Sequence, residues 1–252
     1  SSEDIKKGQE ELKKINVDKN KWFIVLHIRE RGYRENGFIN YQDHHRTPQQ
    51  KNYIDSIKYI TNKGGIVFVV GHNTSYSFPP IKNLIDYRKS SIKSDFMDVF
   101  LASQAKFCIG NSSGYFCIAK YFSTPVLLVD GPSHTDFFQL DENDIYLPRL
   151  FKSKIDKNKI NLVEAFSYPL NSIYTDAVFD KLKLDIIENT PEEIFNATKE
   201  MMAHCKGDTK FNQISNLQKT FKEKFENNNK AQNIKCLSRI SNSFLEKNIN
   251  LI

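Results

Sequence analysis

No apolar run in this chain approaches the ~20 residues needed to cross a bilayer, so no transmembrane segment is expected. Cysteine is scarce as well: four, at Cys108, Cys117, Cys205 and Cys236, with no CxxC spacing. That arrangement suggests neither a zinc knuckle nor a disulfide framework, and reduced thiols in a cytosolic protein are the simple reading. Neither GxGxxG nor GxxxxGKS/T occurs, which leaves a nicotinamide or P-loop assignment without a motif. A dense basic stripe is missing too. Lys and Arg number 36 against 30 Asp and Glu, a formal charge of +6 diluted by acidic neighbours. Nucleic acid is therefore not the expected partner. A mild positive bias suits an anionic small substrate such as a nucleoside diphosphate. The opening SSEDIKKGQEELKKI has the pattern of a polar helix, not of a signal peptide.

What is there reads as a soluble globular chain, with 39% hydrophobic and 26% charged residues. Apolar runs at 21–28 (KWFIVLHI) and 66–71 (IVFVVG) are bounded by charge or glycine, as strands covered on both faces are. NLIDY (83–87), KFCIG (106–110) and PVLLVD (125–130) add three shorter strands. Helical patterns fall at 3–15, after Pro48, at 94–104 with Ser94 as N-cap, and at 115–122. Strand, loop, helix, strand with short links predicts an α/β fold, an open doubly wound parallel sheet. Five strands fit within the first 130 residues, whereas from 131 to 175 the pattern degrades into loops and aromatic segments. Further on, LKLDII precedes Thr190-Pro191-Glu192-Glu193, a capping box that opens a helix to 205. Residues 1–210 are expected to form the main domain and 211–252 a helical extension packed on it.

Doubly wound sheets bind ligands at the carboxyl ends of their strands, and four polar loops meet that condition. In the first, His27 and Arg29 share one side of their strand end, with Glu30 following. An arginine fork there can bridge two diphosphate oxygens; the plainer alternative is a surface pair with Glu30. His27 is either a substrate contact or a neutral core histidine. The second loop is Gly110-Asn111-Ser112-Ser113-Gly114, whose small residues and following helix can cradle an anion. Its alternative is a serine-capped turn. Gly71-His72-Asn73-Thr74 and Asp130-Gly131-Pro132-Ser133-His134 are equally placed to line the crevice. Candidates for a general base are His27, Glu30 and His134. Asp95 and Asp98 are read as helix-start residues. His44-His45 lacks a third ligand at metal spacing, and no bound metal is expected.

Residues from about 20 to 205 resemble a bacterial family of glycosyltransferases of surface-polysaccharide loci. The likeness rests on three segments: His27-Ile28-Arg29 with Glu30 and Tyr33, the run Ser90 to Asp98, and Phe107 to Gly114 continued by Thr124-Pro125-Val126. The His-x-Arg strand end is also similar to the first motif of the fucosyltransferase superfamily. These resemblances imply a Rossmann-like fold of the kind found in the C-terminal, nucleotide-sugar-binding half of a GT-B enzyme. They imply Arg29 as the diphosphate contact and Gly110–Gly114 beneath the nucleotide. A nucleotide-diphosphate sugar would be co-substrate, with no tightly bound cofactor. The acceptor would be a glycan or lipid-linked glycan, presented by a further N-terminal domain or a partner chain. The location implied is the cytoplasm or the inner face of its membrane. Two other readings remain open at this point: a non-catalytic binding module, and a GT-B-like sugar-nucleotide epimerase.

Overall fold

The computed structural model describes residues 1–30, 44–72, 76–131, 134–208, 215–229 and 237–252. Seven parallel strands make the main sheet: β1 (Phe23–His27), β2 (Ile66–Val70), β3 (Leu84–Asp86), β4 (Cys108–Gly110), β5 (Val126–Gly131), β6 (Ile145–Pro148) and β9 (Arg239–Ile240). Their order is β3-β2-β1-β4-β5-β6-β9. The first six follow the Rossmann-type order, 3-2-1-4-5-6. The chain thus has the α/β, doubly wound architecture that the strand–helix pattern predicts.

Helices cover both faces. Between β1 and β2 runs α2 (Ile54–Asn62), between β3 and β4 α3 (Asp95–Gln104), and between β4 and β5 α4 (Gly114–Tyr121). The first of these links moves across the sheet in one direction and the other two in the opposite one. Right-handed crossovers therefore put α2 on one face and α3 with α4 on the other. Helix α1 (Ser2–Lys14) packs on α3, and α7 (Pro191–His204) on α2. The expected caps are present: Ser94 Oγ accepts from the Met97 amide at 3.2 Å, and Thr190 and Glu193 close a capping box. The topological switch, where doubly wound sheets place their ligand crevice, lies between the carboxyl ends of β1 and β4.

The stretch from 131 to 175 holds more regular structure than its sequence pattern indicates. It contains β6 and β7 (Leu150–Ser153), the latter paired antiparallel with β8 (Leu184–Ile187) in a separate two-stranded sheet. Each strand has only four residues and β6 is buried throughout, so neither presents a periodic alternation to the sequence. Helices α5 (Leu162–Ala165) and α6 (Asp176–Lys181) follow on. At the C-terminus, α8 (Asn216–Asn228) and α9 (Asn242–Lys247) supply the expected helices. Between them β9 joins the sheet beside β6 with only two residues, too few for any periodicity. Phe221 and Phe225 of α8 are fully buried. Buried Glu200 of α7 accepts from the Asn242 and Ser243 amides at 2.8 and 2.9 Å, anchoring the start of α9.

Candidate functional site

At the carboxyl end of β1 the strand turns polar because it leaves the core there. The half-buried His27 stacks parallel on Tyr115, ring centroids 5.1 Å apart, and its Nδ1 lies 3.1 Å from Ser113 Oγ. Burial, then the charge of Arg29, pushes the His27 pKa down to about 4. At neutral pH this is an uncharged imidazole. Gly71, at φ +115°, lies against the same ring, where an added Cβ would come within 3.2 Å of His27 Cδ2. The left-handed backbone and the close approach both require glycine. Gly71 thus makes room for His27.

Arg29 is pinned through its backbone: its amide donates to Asn111 Oδ1 at 2.9 Å. Asn111 Nδ2 in turn donates to the Tyr53 hydroxyl at 2.9 Å and the Val129 carbonyl at 3.0 Å. That buried carboxamide is thus spent on joining β1, β4, β5 and the start of α2. Next along the loop, Ser112 is also buried, and its carbonyl accepts from Arg46 Nη2 at 2.7 Å. Ser113 is the N-cap of α4, but its hydroxyl faces His27 instead of capping the helix. Gly114 is exposed, and a Cβ there would meet nothing within 4 Å. The first-turn amides of α4, which have no partners within the helix, therefore stand at an open face. Gly110 to Gly114 also has the G-x-S-x-G spacing of a hydrolase nucleophile elbow. Ser112 is not among the positive-φ residues and is buried against Arg46, so it is not presented as such a nucleophile.

Beneath the crevice lies a buried ionic network. Asp130, expected as a crevice residue, is 2% exposed. Its Oδ1 accepts from Arg149 Nε and the Asn189 amide, both at 3.1 Å, and its Oδ2 from the Tyr53 hydroxyl at 2.8 Å. A left-handed φ of +55° at Asp130 accompanies a register shift between β5 and β6. Arg149 also donates to the His45 carbonyl, while His45 Nδ1 pairs with Asp176. Removing one partner of such a buried pair typically costs about 3–5 kcal/mol, because it strands the other charge. Asp130 holds the crevice floor and does not face a ligand.

His134 is corrected more sharply. It has no exposed surface, lies parallel to Phe166 at 4.1 Å, and shares a hydrogen bond at 3.0 Å between its Nδ1 and the Tyr146 hydroxyl. Burial pushes its pKa down to about 3. Sealed among aromatics, it cannot line a crevice or take a proton from an acceptor. Glu30 is drawn to the other side of β1, where Arg88 Nη1 reaches it at 3.3 Å and Gln50 also donates to it. Burial raises the Glu30 pKa, partly offset by Arg88. Arg88 itself grips Asp86 through Nε and Nη2 at 2.7 and 2.8 Å. His72 is exposed at the end of β2. Arg31, Tyr33, Arg34, Asn73, Thr74 and Ser133 lie outside the described residues.

Arg46, Tyr53, Arg88 and Arg149 are the residues that sequence reasoning missed. Tyr53 fits the apolar spacing of its helix, and each arginine follows a segment without a motif, so no local signal distinguishes them. Asp136 is another: 7% exposed, with its pKa raised by burial against the opposing pull of Ser112 and Arg46.

No family model and no curated protein matches this sequence. A solved structure does. It is a glycosyl transferase family 9 protein from Veillonella parvula, 12% identical, with a TM-score of 0.44 over 79% of this chain. The match covers 51% of that protein, so this chain spans about half its length. At that distance the likeness carries no chemistry, and the reading of the site rests on its own geometry.

Proposed function

We propose that this chain binds a nucleotide-diphosphate sugar across the carboxyl ends of β1 and β4, and acts in transferring the sugar to a glycan or lipid-linked glycan acceptor. The observation that carries the reading is the bond between the Arg29 amide and Asn111. It ties the backbone of Arg29, just past β1, to the loop that opens helix α4, so the main chain that carries this arginine and the helix N-terminus are held in one frame. In the transfer, an acceptor hydroxyl attacks the anomeric carbon and yields its proton to a base or to water, the bond to the β-phosphate oxygen breaks, and the nucleoside diphosphate departs with the electron pair. Fixed positive potential at that oxygen lowers the barrier without reorganisation. Arg29, with Arg46 beside Ser112 and the α4 amides, supports that role. Neutral His27 adds a hydrogen-bonding group there without adding charge. A further domain or partner chain would present the acceptor.

Thermal shift against UDP, GDP, CMP and dTDP compounds tests the proposal. One nucleotide is expected to raise the melting temperature selectively. Arg29→Ala should melt normally alone, lose that response, and lose about 100-fold in turnover, the usual effect of deleting one such donor. Silence across the panel, or near-parental activity of Arg29→Ala, overturns the proposal. Binding without turnover alongside any acceptor domain would mark a non-catalytic module, and release of altered sugar without acceptor an epimerase.

A further inference from the structure

A second concavity lies to one side of the crevice. A cavity of about 520 Å³ is lined by Val69, Phe78, Pro79, Ile81, Leu84 and Asp86, among others, at the carboxyl ends of β2 and β3. Its size is within the range of small-ligand sites, about 300–1,000 Å³. The described residues 76–83 of the link from β2 to β3 build its wall, and Pro79-Pro80 restrict the backbone there. Arg88 ties wall to floor, donating through Nη2 to both Asp86 at 2.8 Å and the Tyr76 carbonyl at 3.1 Å. Phe78 packs edge-on against Tyr76, centroids 5.1 Å apart. The concavity is therefore a braced feature of the fold.

Its lining joins apolar side chains and the ring of Phe78 to three polar groups, the Ser77 hydroxyl, the Lys82 ammonium and the Asp86 carboxylate. Each Asp86 oxygen accepts from Arg88 and Lys89 Nζ stands 3.9 Å from Oδ2, and a carboxylate with about four lone-pair sites retains capacity for a further donor. An aromatic heterocycle bearing hydroxyl groups fits that combination. Val69 pairs in register with Leu26 on one side and Asp86 on the other. The gap between β2 and β3 thus stands two strand spacings, about 10 Å, from the gap between β1 and β4. That is the span over which a nucleoside diphosphate extends from its β-phosphate to its base.

We infer that this cavity is the nucleoside subsite of the donor, seating base and ribose while the diphosphate lies over β1 and β4. The inference rests on the phosphate site proposed above. Hydrogen exchange on the whole chain separates the two. UDP or GDP should protect both the amides of 81–86 and those of 110–116, whereas inorganic pyrophosphate should protect only 110–116. Phe78→Ala should weaken the nucleoside diphosphate about tenfold, as for loss of one base-stacking ring, and leave pyrophosphate unchanged. Ser77→Trp, which fills the cavity from an exposed lining position, should do the same. Protection of 110–116 by a nucleotide with none at 81–86, or unchanged nucleotide affinity in both variants, overturns the subsite and leaves the phosphate site standing. No protection of 110–116 by pyrophosphate or by either nucleotide overturns both.

Discussion

At His134 the imidazole is sealed between aromatic rings, and at His27 it stacks on Tyr115 beside a cation. Both have pKa values pushed below the ordinary 6.5, to about 3 and about 4. As the pH falls through 6.5 the unfolded chain takes up protons that the folded chain refuses. Stability is therefore full above 6.5 and is lost toward pH 4, at roughly 1.4 kcal/mol per pH unit for each histidine. Glu30, Asp136 and Asp144, whose pKa values burial raises, act with the opposite sign, because the folded chain binds their protons first. His134→Phe keeps the stack and removes one titrating group. Melting temperatures from pH 7.5 to 5 should fall less steeply in this variant than in the parent, and an equal slope would show that His134 contributes nothing to acid lability. Sequence alone placed His134 on a loop after a strand and at a crevice, whereas it opens a 3-10 helix, His134–Gln139, and is buried. Its side chain is claimed by Tyr146, Phe151 and Phe166, whose proximity no local pattern announces.

Among the elements, α4 ties the site to the fold. Its position is readable in the sequence, because a run of small residues between an apolar strand and a helical pattern leaves few alternatives. The partner of Ser112 is not readable, since Arg46 lies 66 residues away along the chain. Gly114→Asp tests whether the open end of α4 receives an anion. A carboxylate in the first turn should stabilise the helix by about 0.3–1 kcal/mol, and the space around Gly114 is clear. The urea midpoint should hold or rise. Affinity for pyrophosphate and for nucleoside diphosphate should drop about tenfold as like charges meet, at a cost of several kcal/mol before screening. Unaltered affinity in the variant would place the ligand elsewhere. The same element shows what packing adds to spacing: Ser113 has the position of a capping residue, yet its hydroxyl is directed to His27.

For the whole molecule, the C-terminal segment closes the fold. Strand β9 covers the β6 edge, and Phe221, Phe225, Ile240, Phe244 and Leu245 fill core positions beneath it. Buried apolar side chains stabilise by about 1.5–3 kcal/mol each, so together these five contribute about as much as the usual net stability of a domain. Truncation after residue 210 should give a chain that aggregates or melts without cooperativity, checked by calorimetry and size-exclusion chromatography. A cooperative, monomeric truncation would make 211–252 dispensable. The sequence by itself determined the first five strands, their helices and caps, and the two loops that meet at the switch point. Those features are written in short-range patterns of burial and backbone preference, which a strand or helix must satisfy locally. The tertiary structure alone decided that Asn111 and Asp130 brace the crevice, that His134 belongs to the core, that Arg46 joins Ser112, and that two residues near the C-terminus complete the sheet. Each depends on contacts between segments far apart in the chain, set by how the strands order themselves and invisible to any local period.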